Sequence, residues 1–426
     1  MATRPTDIQK ELDRRYEAAL AAAAGQVTDQ FDAPPEVVDA WRRAMRVVRQ
    51  ALAELCWPQP TWGATLRQWR GHCRIQLGDL LPHPGIDTIE GLMSAMGLGR
   101  HLRADYVEFT DLHSICRWLR KVYTALRQEQ PPLKHPPDRV RLNIPGYSRN
   151  LADRWRAERR LATLPRLIRR LRKGTPRSID PILFGSLARE EAWPRFSDVD
   201  LCLIFDDDAI TATSSLTRTV RTCRQIAPLL AAADALHHHG PYVLFESDWD
   251  AYSESLLPLA TLGRAMTMES RPYVQFVRVY GDRHQGLSNL AQARRGILDL
   301  LGQPDKLADR YTAKYLVSLV LLLPALVCSA RGIPFDKADA FDFLKPLLND
   351  PARQTLEAVE AIRREWRETI QPPAVLLRGC GALAGCVGRQ VNRWPSRSLQ
   401  QRLIKLGGGI RHLADACLEL GILELV

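Results

Sequence analysis

Residues 181–206 read PILFGSLAREEAWPRFSDVDLCLIFD, and this stretch decides the fold. Its apolar start, residues 182–184, predicts a short buried strand. The strand stops at Gly185 and Ser186, where glycine lets the backbone turn tightly and approach a ligand closely. Residues 187–192 can begin a helix, and a second strand is expected at residues 199–205. The pattern therefore predicts two strands joined by a tight turn and a short helix.

Two carboxylates, Asp198 and Asp200, stand at the start of the second strand. Side chains alternate along a strand, so both point to the same face. Their charges repel unless a cation lies between them, and Mg²⁺ prefers such oxygen ligands. Removing one carboxylate, as in Asp198→Asn, is expected to relieve repulsion and leave the fold intact. The turn at Gly185 and Ser186 offers amide groups and a hydroxyl to a phosphate. Together these features predict metal-assisted phosphoryl or nucleotidyl transfer.

The run Gly185-Ser186 followed by residues 197–201, Ser-Asp-Val-Asp-Leu, resembles the signature of the DNA polymerase β-like nucleotidyltransferase superfamily. The Gly-Ser-Leu-Ala-Arg form at residues 185–189 is similar to the minimal and aminoglycoside-type bacterial branch. The resemblance is local and covers about thirty residues well, and the spacing from Ser186 to Asp198 is one residue longer than expected in that branch. It implies an α+β fold, in which a small mixed-sheet nucleotidyltransferase core is flanked by N-terminal and C-terminal helical regions.

The resemblance also implies a reaction and roles for individual residues. The enzyme would move a nucleoside monophosphate from an NTP such as ATP to an acceptor hydroxyl and release pyrophosphate. Asp198 and Asp200 would be catalytic and would bind one or two Mg²⁺ ions, with Mn²⁺ as an alternative. Gly185 and Ser186 would hold the nucleotide phosphates. Arg189 would add a charge-assisted contact to the nucleotide, and its alternative role is that of a surface arginine.

Members of the superfamily usually carry a third carboxylate on the next strand, here expected at residues 242–245. Glu246, at the end of that strand, is the preferred candidate for this catalytic base. Asp234 precedes the strand, and the histidines at 237–239 are further candidates as base, ligand or phosphate contact, or simply as caps of a turn. Without a third carboxylate, the domain would be degenerate and would only bind.

Lys314 stands near the start of a long apolar helix. By similarity to related enzymes it could reach the nucleotide triphosphate, and its alternative is an ordinary surface lysine. The following stretch, residues 331–340, looks like the loop and helix start of aminoglycoside-type C-terminal bundles.

Four regions are expected along the chain. They are a helical N-terminal domain at 1–130, a Pro-rich linker and basic helix at 131–173, the nucleotidyltransferase core at 174–285, and a helical C-terminal domain at 286–426. Hydrophobic spacing predicts further elements. They are helices at 35–56, 111–128, 214–233, 307–330 and 410–425, and a fourth strand at 271–281.

The chain of 426 residues is basic, with 59 Lys and Arg against 48 Asp and Glu and a net charge of +11. Much of the excess lies in the predicted helix 150–173, whose basic face is either merely solvated, or binds RNA, tRNA or another polyanion, or meets a membrane surface. The nine scattered cysteines form no Cys-x-x-Cys pair, which argues against zinc and for reduced, buried thiols. The start has no apolar signal-peptide core, and the apolar run 315–328 is too short to span a bilayer. A cytoplasmic protein without membrane contact is expected.

Three functions stay open at this stage. The first is modification of a small molecule, as in an antibiotic adenylyltransferase. The second is modification of RNA or tRNA, in the setting of a toxin or defence protein. The third is a catalytically degenerate domain that binds nucleotide, RNA or protein. The acceptor, the preferred NTP and the oligomeric state cannot be read from the sequence.

Overall fold

The structure is a computed structural model in which helices and strands are mixed, and it is compatible with the predicted α+β class. The residues it describes are 5–57, 112–147, 164–175, 178–189, 196–234, 236–237, 240–268, 271–370, 387–388 and 390–423.

The α-helices of these ranges are numbered in chain order. They are α1 (Pro5–Thr28), α2 (Pro35–Cys56), α3 (Leu112–Gln128), α4 (Leu164–Gly174), α5 (Gly185–Ala188), α6 (Asp207–Thr211), α7 (Thr213–Ala233), α8 (Leu259–Gly263), α9 (Arg283–Leu301), α10 (Arg310–Val320), α11 (Leu323–Ala330), α12 (Lys337–Leu344), α13 (Asp350–Arg364) and α14 (Arg397–Ile422). Short 3₁₀ helices occupy Glu246–Asp250, Pro304–Ala308 and Lys345–Leu347.

The strands are numbered in the same way. They are β1 (Val140–Ile144), β2 (Ile179–Phe184), β3 (Asp200–Phe205), β4 (Tyr242–Phe245), β5 (Tyr252–Ser253), β6 (Met266–Thr267), β7 (Tyr273–Val277) and β8 (Val279–Tyr280).

The central sheet has the strand order β4-β3-β2-β6. Strand β3 runs antiparallel to β2 and parallel to β4, and β6 runs antiparallel to β2. In this register Phe184 pairs with Asp200, so the start of β3 lies beside the end of β2. Cys202 pairs with Tyr242 at the start of β4. The turn after β2 and the acidic start of β3 therefore meet at one end of the sheet.

Both faces of β2 and β3 are covered, which explains why their sequences are continuously apolar instead of alternating. Leu183, Leu201 and Leu203 belong to a core shared with α2, α3, α4 and α7. Ile182 and Ile204 belong to a second core on the opposite face, together with β1. The sheet is thus the middle layer of the structure.

The N-terminal helices are divided between two cores. Helices α2 and α3 pack on the sheet through the core that contains Leu52 and Val122. Helix α1 instead contributes Leu12 and Ala19 to the C-terminal bundle built from α9, α10, α11, α13 and α14. Phe196, which precedes β3, also packs in that bundle. The end of the sheet where β2 ends and β3 begins therefore lies between the C-terminal bundle and the core shared by the sheet with α2 and α3.

Several predicted elements are confirmed. The helix at 35–56 and the strand at 242–245 have the expected bounds, and the helix at 111–128 begins one residue later as α3. The cysteines of the described ranges are buried, as their apolar surroundings indicated.

The prediction of one continuous helix at 307–330 is wrong. A 3₁₀ helix ends at Ala308, and α10 stops at Val320 before α11 begins at Leu323. Pro324 lies in the first turn of α11, and its ring nitrogen has no hydrogen to donate to a carbonyl of the preceding turn. By length and composition the stretch Arg310–Ala330 could cross a membrane, but most of it is buried inside the protein, as a core helix would be.

The predicted strand at 271–281 exists but lies outside the central sheet. It is divided into β7, which pairs with β1, and β8, which pairs with β5. The fourth strand of the central sheet is the short β6. Strand β1 lies within the region expected to be a linker, and it was missed because its five residues stand between prolines. The final helix begins at Arg397, well before the predicted start at 410.

The close approach of α9 to α11 gives a stability prediction. A Cβ on Gly286 would lie 2.6 Å from the carbonyl carbon and oxygen of Ser329, which are backbone atoms that cannot rotate away. We expect Gly286→Ala to lower the free energy of unfolding by about 1–3 kcal/mol through overpacking, measured by chemical denaturation.

The matched control is Gly408→Ala in α14. A Cβ there meets nothing within 4 Å, and the residue is exposed. Alanine has the higher helix propensity, so this change should raise stability by up to about 1 kcal/mol. Equal effects of the two substitutions would contradict the close α9–α11 packing.

Candidate functional site

The site begins at the turn between β2 and α5. Gly185 has a φ of +73°, a backbone conformation that favours glycine. An ideal Cβ at this position would overlap the Oδ2 atom of Asp200. Glycine is therefore required twice, once for the turn and once for the carboxylate that lies against it. Ser186 follows and is half-buried.

Asp198 is held by a buried lysine of the C-terminal bundle. The Lys314 ammonium group forms an ion pair and hydrogen bond with Oδ1 of Asp198. Its side chain is only 1% exposed, against 12% for Asp198. The same ammonium group lies 3.6 Å from Oδ1 of Asp234 and 5.6 Å from the centre of the Phe196 ring. A cation thus already lies at the predicted metal ligand Asp198.

Asp234, at the end of α7, fixes the backbone between the two predicted metal ligands. It is buried, and its Oδ2 accepts a hydrogen bond of 3.2 Å from the amide of Val199. Its Oδ1 faces Lys314. Because Val199 separates Asp198 from Asp200, this contact helps to orient both carboxylates. Sequence reasoning named Asp234 only as an alternative third carboxylate, since a helix end gives no signal of such a contact.

Arg189 contacts a carboxylate of the bundle. Its Nη1 donates to both carboxylate oxygens of Asp336, at 2.6 and 2.7 Å. Asp336 is buried and also caps α12 by accepting from the Ala338 amide at 3.1 Å. Thr261 donates to the same carboxylate at 3.2 Å. Arg189 therefore ties the short helix after Gly185 to the start of α12, and it is not the surface arginine of the alternative interpretation.

Lys337, the first residue of α12, is a site residue that sequence reasoning missed. It is partly buried. Burial and, after it, the charge of Arg363 lower the pKa of Lys337 to about 8, while Asp200 and Asp198 act in the opposite direction. A cation thus lies within electrostatic reach of both carboxylates. The resemblance of residues 331–340 to a bundle loop was the available signal, but it did not single out this lysine.

Glu246 does not join these residues. It follows the last residue of β4, beside the end of β3. Burial first, and then Asp206 and Asp207 near the end of β3, raise its pKa. The five steps from Asp200 to Phe205 at about 3.3 Å each separate the two ends of β3 by roughly 16 Å. Glu246 therefore cannot share a metal ion with Asp200, and its assignment as the base does not fit the structure.

Strand β4 carries no carboxylate. Its first residue, Tyr242, pairs with Cys202, two residues along β3 from Asp200. The Tyr242 ring meets Phe184 edge-on with centroids 5.5 Å apart. Strand β4 thus contains no third carboxylate of the kind that the superfamily resemblance implied for this strand.

Two further predicted features lie partly outside the described residues. His237 is buried and donates its amide to the Asp234 carbonyl at 3.2 Å, while His238 and His239 lie outside. Of the predicted basic helix 150–173, the part described is α4.

The carboxylates at this end of the sheet suit a hard cation. Asp198 and Asp200 offer oxygen ligands, and the ammonium of Lys314 occupies Asp198. Within the ranges that the structure describes, no group of three or more His, Cys, Asp or Glu side chains is arranged to hold a metal ion. The site therefore supplies a pair of protein carboxylates and not a complete metal cage.

The buried pair of Lys314 and Asp198 gives a stability prediction. Lys314→Met would leave two buried carboxylates without their cation, at a cost of about 3–5 kcal/mol. Asp198→Asn should also destabilise the folded protein. It relieves the repulsion between Asp198 and Asp200, but it also removes the ion pair with Lys314. The double variant Lys314→Met/Asp198→Asn should cost at least about 1 kcal/mol less than the sum of the single changes.

Chemical denaturation of the four proteins measures this coupling. The control is Lys306→Met at an exposed lysine, which should change stability by no more than about 0.5 kcal/mol. Simple additivity of the two site changes would contradict the ion pair.

The lowered pKa of Lys337 predicts a pH dependence of stability. Below pH 8 the lysine is protonated in the folded and unfolded states, so it adds no pH dependence. Between about 8 and its usual 10.5 the unfolded chain keeps the proton that the folded protein has lost, so stability rises with pH. Relative to Lys337→Met, the metal-free protein should gain about 1–2 kcal/mol from pH 7 to 9.5. A constant difference between the two proteins would contradict the lowered pKa.

Comparison with known proteins supports the same region. Residues 164–236 match the family model of the nucleotidyltransferase domain. The match covers α4, β2, the Gly185 turn, β3 and α7, and it ends just beyond Asp234. No curated protein matches the chain, and no solved structure matches it. Residues 164–236 thus carry a nucleotidyltransferase domain, which confirms the resemblance to the DNA polymerase β-like nucleotidyltransferase superfamily.

Proposed function

We propose that the protein is a metal-dependent nucleotidyltransferase, which moves a nucleoside monophosphate from an NTP to an acceptor hydroxyl and releases pyrophosphate. The observation that carries the proposal is the contact of Asp200 with the Gly185 turn, with Asp198 two residues away on the same end of the sheet. A turn that admits a phosphate next to a carboxylate pair is what metal-assisted transfer requires. The domain match supports nucleotidyl transfer as the general activity.

Asp198 and Asp200 would hold one or two Mg²⁺ ions, or Mn²⁺. Bound metal would supply charge neutralisation at the α-phosphate and would activate the attacking oxygen. Because the protein offers a carboxylate pair, nucleotide phosphates and water would provide the other ligands. When metal binds Asp198, the ammonium group of Lys314 would leave that carboxylate and contact the negatively charged nucleotide. It would stay close to Asp234.

The triphosphate would be bound by the Gly185 turn and by lysines. Gly185 and Ser186 present backbone amides and a hydroxyl, and Lys314 and Lys337 bring positive charge from the bundle side. Arg189 would not contact the nucleotide, because its guanidinium group is hydrogen-bonded to Asp336. Its role would be to position neighbouring groups. The bond between them fixes the start of α12 and hence Lys337.

A catalytically degenerate binding domain is the second candidate. Two observations favour it: the start of β4 has no carboxylate, and the charge of Asp198 is already compensated by Lys314. Such a domain would bind a nucleotide through the same turn and lysines without turning it over. Metal-dependent release of pyrophosphate separates the two candidates.

The acceptor would be RNA or tRNA, with a small molecule as the alternative. In α4 the side chains of Arg169, Arg170, Arg172 and Lys173 are exposed, while Leu167 and Leu171 are buried. An exposed basic face on the same domain as the site favours a polyanion, whose binding would weaken steeply with salt.

Label transfer tests the proposed activity. The protein is mixed with Mg²⁺ and each α-labelled NTP in turn, with total RNA or a small-metabolite extract as acceptor. We expect label in one acceptor fraction, and its loss by at least about 10²-fold in Asp200→Asn, because a metal ligand is removed. The matched control is Asp208→Asn, an exposed acidic residue of α6, which should transfer label normally. Nucleotide binding without label in any fraction would contradict the enzyme and favour the degenerate domain.

Gly185→Ala tests the contact at the turn. The added Cβ overlaps the Asp200 carboxylate and meets an unfavourable positive φ, so both the turn and Asp200 must move. A displacement of about 1 Å in such a site can cost about 10²-fold in rate, and we expect a loss of label transfer of at least that size.

The control for this variant is Gly263→Ala at the end of α8. Its Cβ would meet nothing within 4 Å, so transfer should be unchanged. Circular dichroism confirms that both variants fold. Normal transfer by folded Gly185→Ala would contradict the proposed role of the turn.

A further inference from the structure

A half-open cleft lies between α2 and residues 251–256, at a distance from the Asp198 and Asp200 site. Strand β8 and the start of α9 close its remaining sides. Its polar lining is formed by three arginines of α2 and by residues of the opposite wall, namely Arg42, Arg46, Arg49, Ser253, Ser255 and Gln285. Asp282 is the single carboxylate in the lining.

Two of the three arginines are engaged with carboxylates. Arg42 forms a buried ion pair with Asp282, and Arg49 forms one with Asp248, outside the lining. Asp282 also accepts hydrogen bonds from Ser253 at 3.0 Å and Ser255 at 3.3 Å. The negative charge of Asp282 is therefore satisfied at the base of the cleft.

Arg46 is different from its two neighbours. It has no hydrogen bond or ion pair with any residue that the structure describes. Although part of its side chain stays exposed, burial of the rest and then the positive charge of Arg42 lower its pKa. Since Asp282 and Asp248 compensate the charges of Arg42 and Arg49, the charge of Arg46 is the one left over among the three arginines, and a bound anion would compensate it.

One buried donor of the cleft is available to an anion. The Nε of Arg49 is buried and has no hydrogen-bond partner within the described ranges. A buried donor without a partner costs free energy, which a phosphate oxygen bound to it would recover.

The cleft is separate from the candidate active site. Helix α2 runs along β4, with Ala53 near Gly240 and with Arg49 over the Phe245 ring at 5.7 Å. Gly240 precedes the start of β4, where Tyr242 pairs with Cys202 near Asp200, whereas Phe245 pairs with Phe205 at the far end. Arg42 and Arg46 lie further along α2, beyond that far end. An anion bound to them cannot be the triphosphate held at the Gly185 turn.

We propose that this cleft is a second anion site, which binds the phosphate group of a small molecule through Arg46 with support from Arg42 and Arg49. Arginine suits the site because its planar fork of donors matches phosphate oxygens, and because it keeps its charge at physiological pH. The serine hydroxyls keep their hydrogen bonds to Asp282, so the contacts to the anion come from the guanidinium groups. The ligand is either free inorganic phosphate or the phosphate of a nucleotide.

Isothermal titration tests the proposal with inorganic phosphate and with AMP, each without divalent metal and at constant ionic strength. We expect saturable binding of at least one of them, weakened at least tenfold in Arg46→Gln. The matched control is Arg43→Gln on the same helix, whose guanidinium pairs with Asp39 at 2.6 Å and does not line the cleft. It should bind like the wild type.

The variants also separate this site from the active site. Asp200→Asn should keep the Arg46-dependent binding. Phosphate binding alone identifies a free-anion site, and AMP binding identifies a nucleotide site. Arg46→Lys, which keeps the charge but loses the planar fork of donors, gives a second folded variant with weakened binding. Absence of binding by both ligands, or equal binding by wild type and Arg46→Gln, would overturn the proposal.

Discussion

The contact between the Asp200 carboxylate and Gly185 is the constraint on which the site depends. Pairing of Phe184 with Asp200 brings the end of β2 and the start of β3 together, and only a residue without a side chain leaves room for the carboxylate. The covered sheet behind them fixes this register, since both faces are buried and a slip by one residue would move every side chain to the wrong core. The phosphate-accepting turn and the proposed metal ligand are thus one packed unit.

The C-terminal bundle completes that unit from outside the matched domain. Lys314 of α10 reaches Asp198, and Asp336 at the start of α12 engages Arg189. Both bundle residues are buried, so each contact replaces solvent around a charged group of the domain. Positive charge for a triphosphate therefore comes from the bundle, while the carboxylates come from the sheet. Closure of the bundle on the sheet is a condition for the proposed chemistry.

Sequence reasoning could predict the part of the site that is local in the chain. Gly185, Asp198 and Asp200 lie within one strand-turn-strand motif, so spacing and alternation were enough to bring them together. Lys314 depends on contacts between residues more than a hundred positions apart, which no periodicity encodes, although similarity to related enzymes suggested it. The assignment of Glu246 failed because the sequence of a strand does not show which of its ends lies at the site. The parallel pairing of β3 with β4 shows that Glu246 follows the end far from Asp200. The break at Pro324 could have been predicted, but the apolar run outweighed the proline.

Metal binding tests the central claim most directly, because it depends on Asp198 and Asp200 and on no assumption about the acceptor. Electron paramagnetic resonance can follow Mn²⁺ in the presence of a non-hydrolysable NTP, with wild type, Asp200→Asn and the control Asp208→Asn. The account predicts nucleotide-dependent Mn²⁺ binding by the wild type and the control, and its loss in Asp200→Asn. Equal binding by all three proteins, or no binding by the wild type, would contradict it.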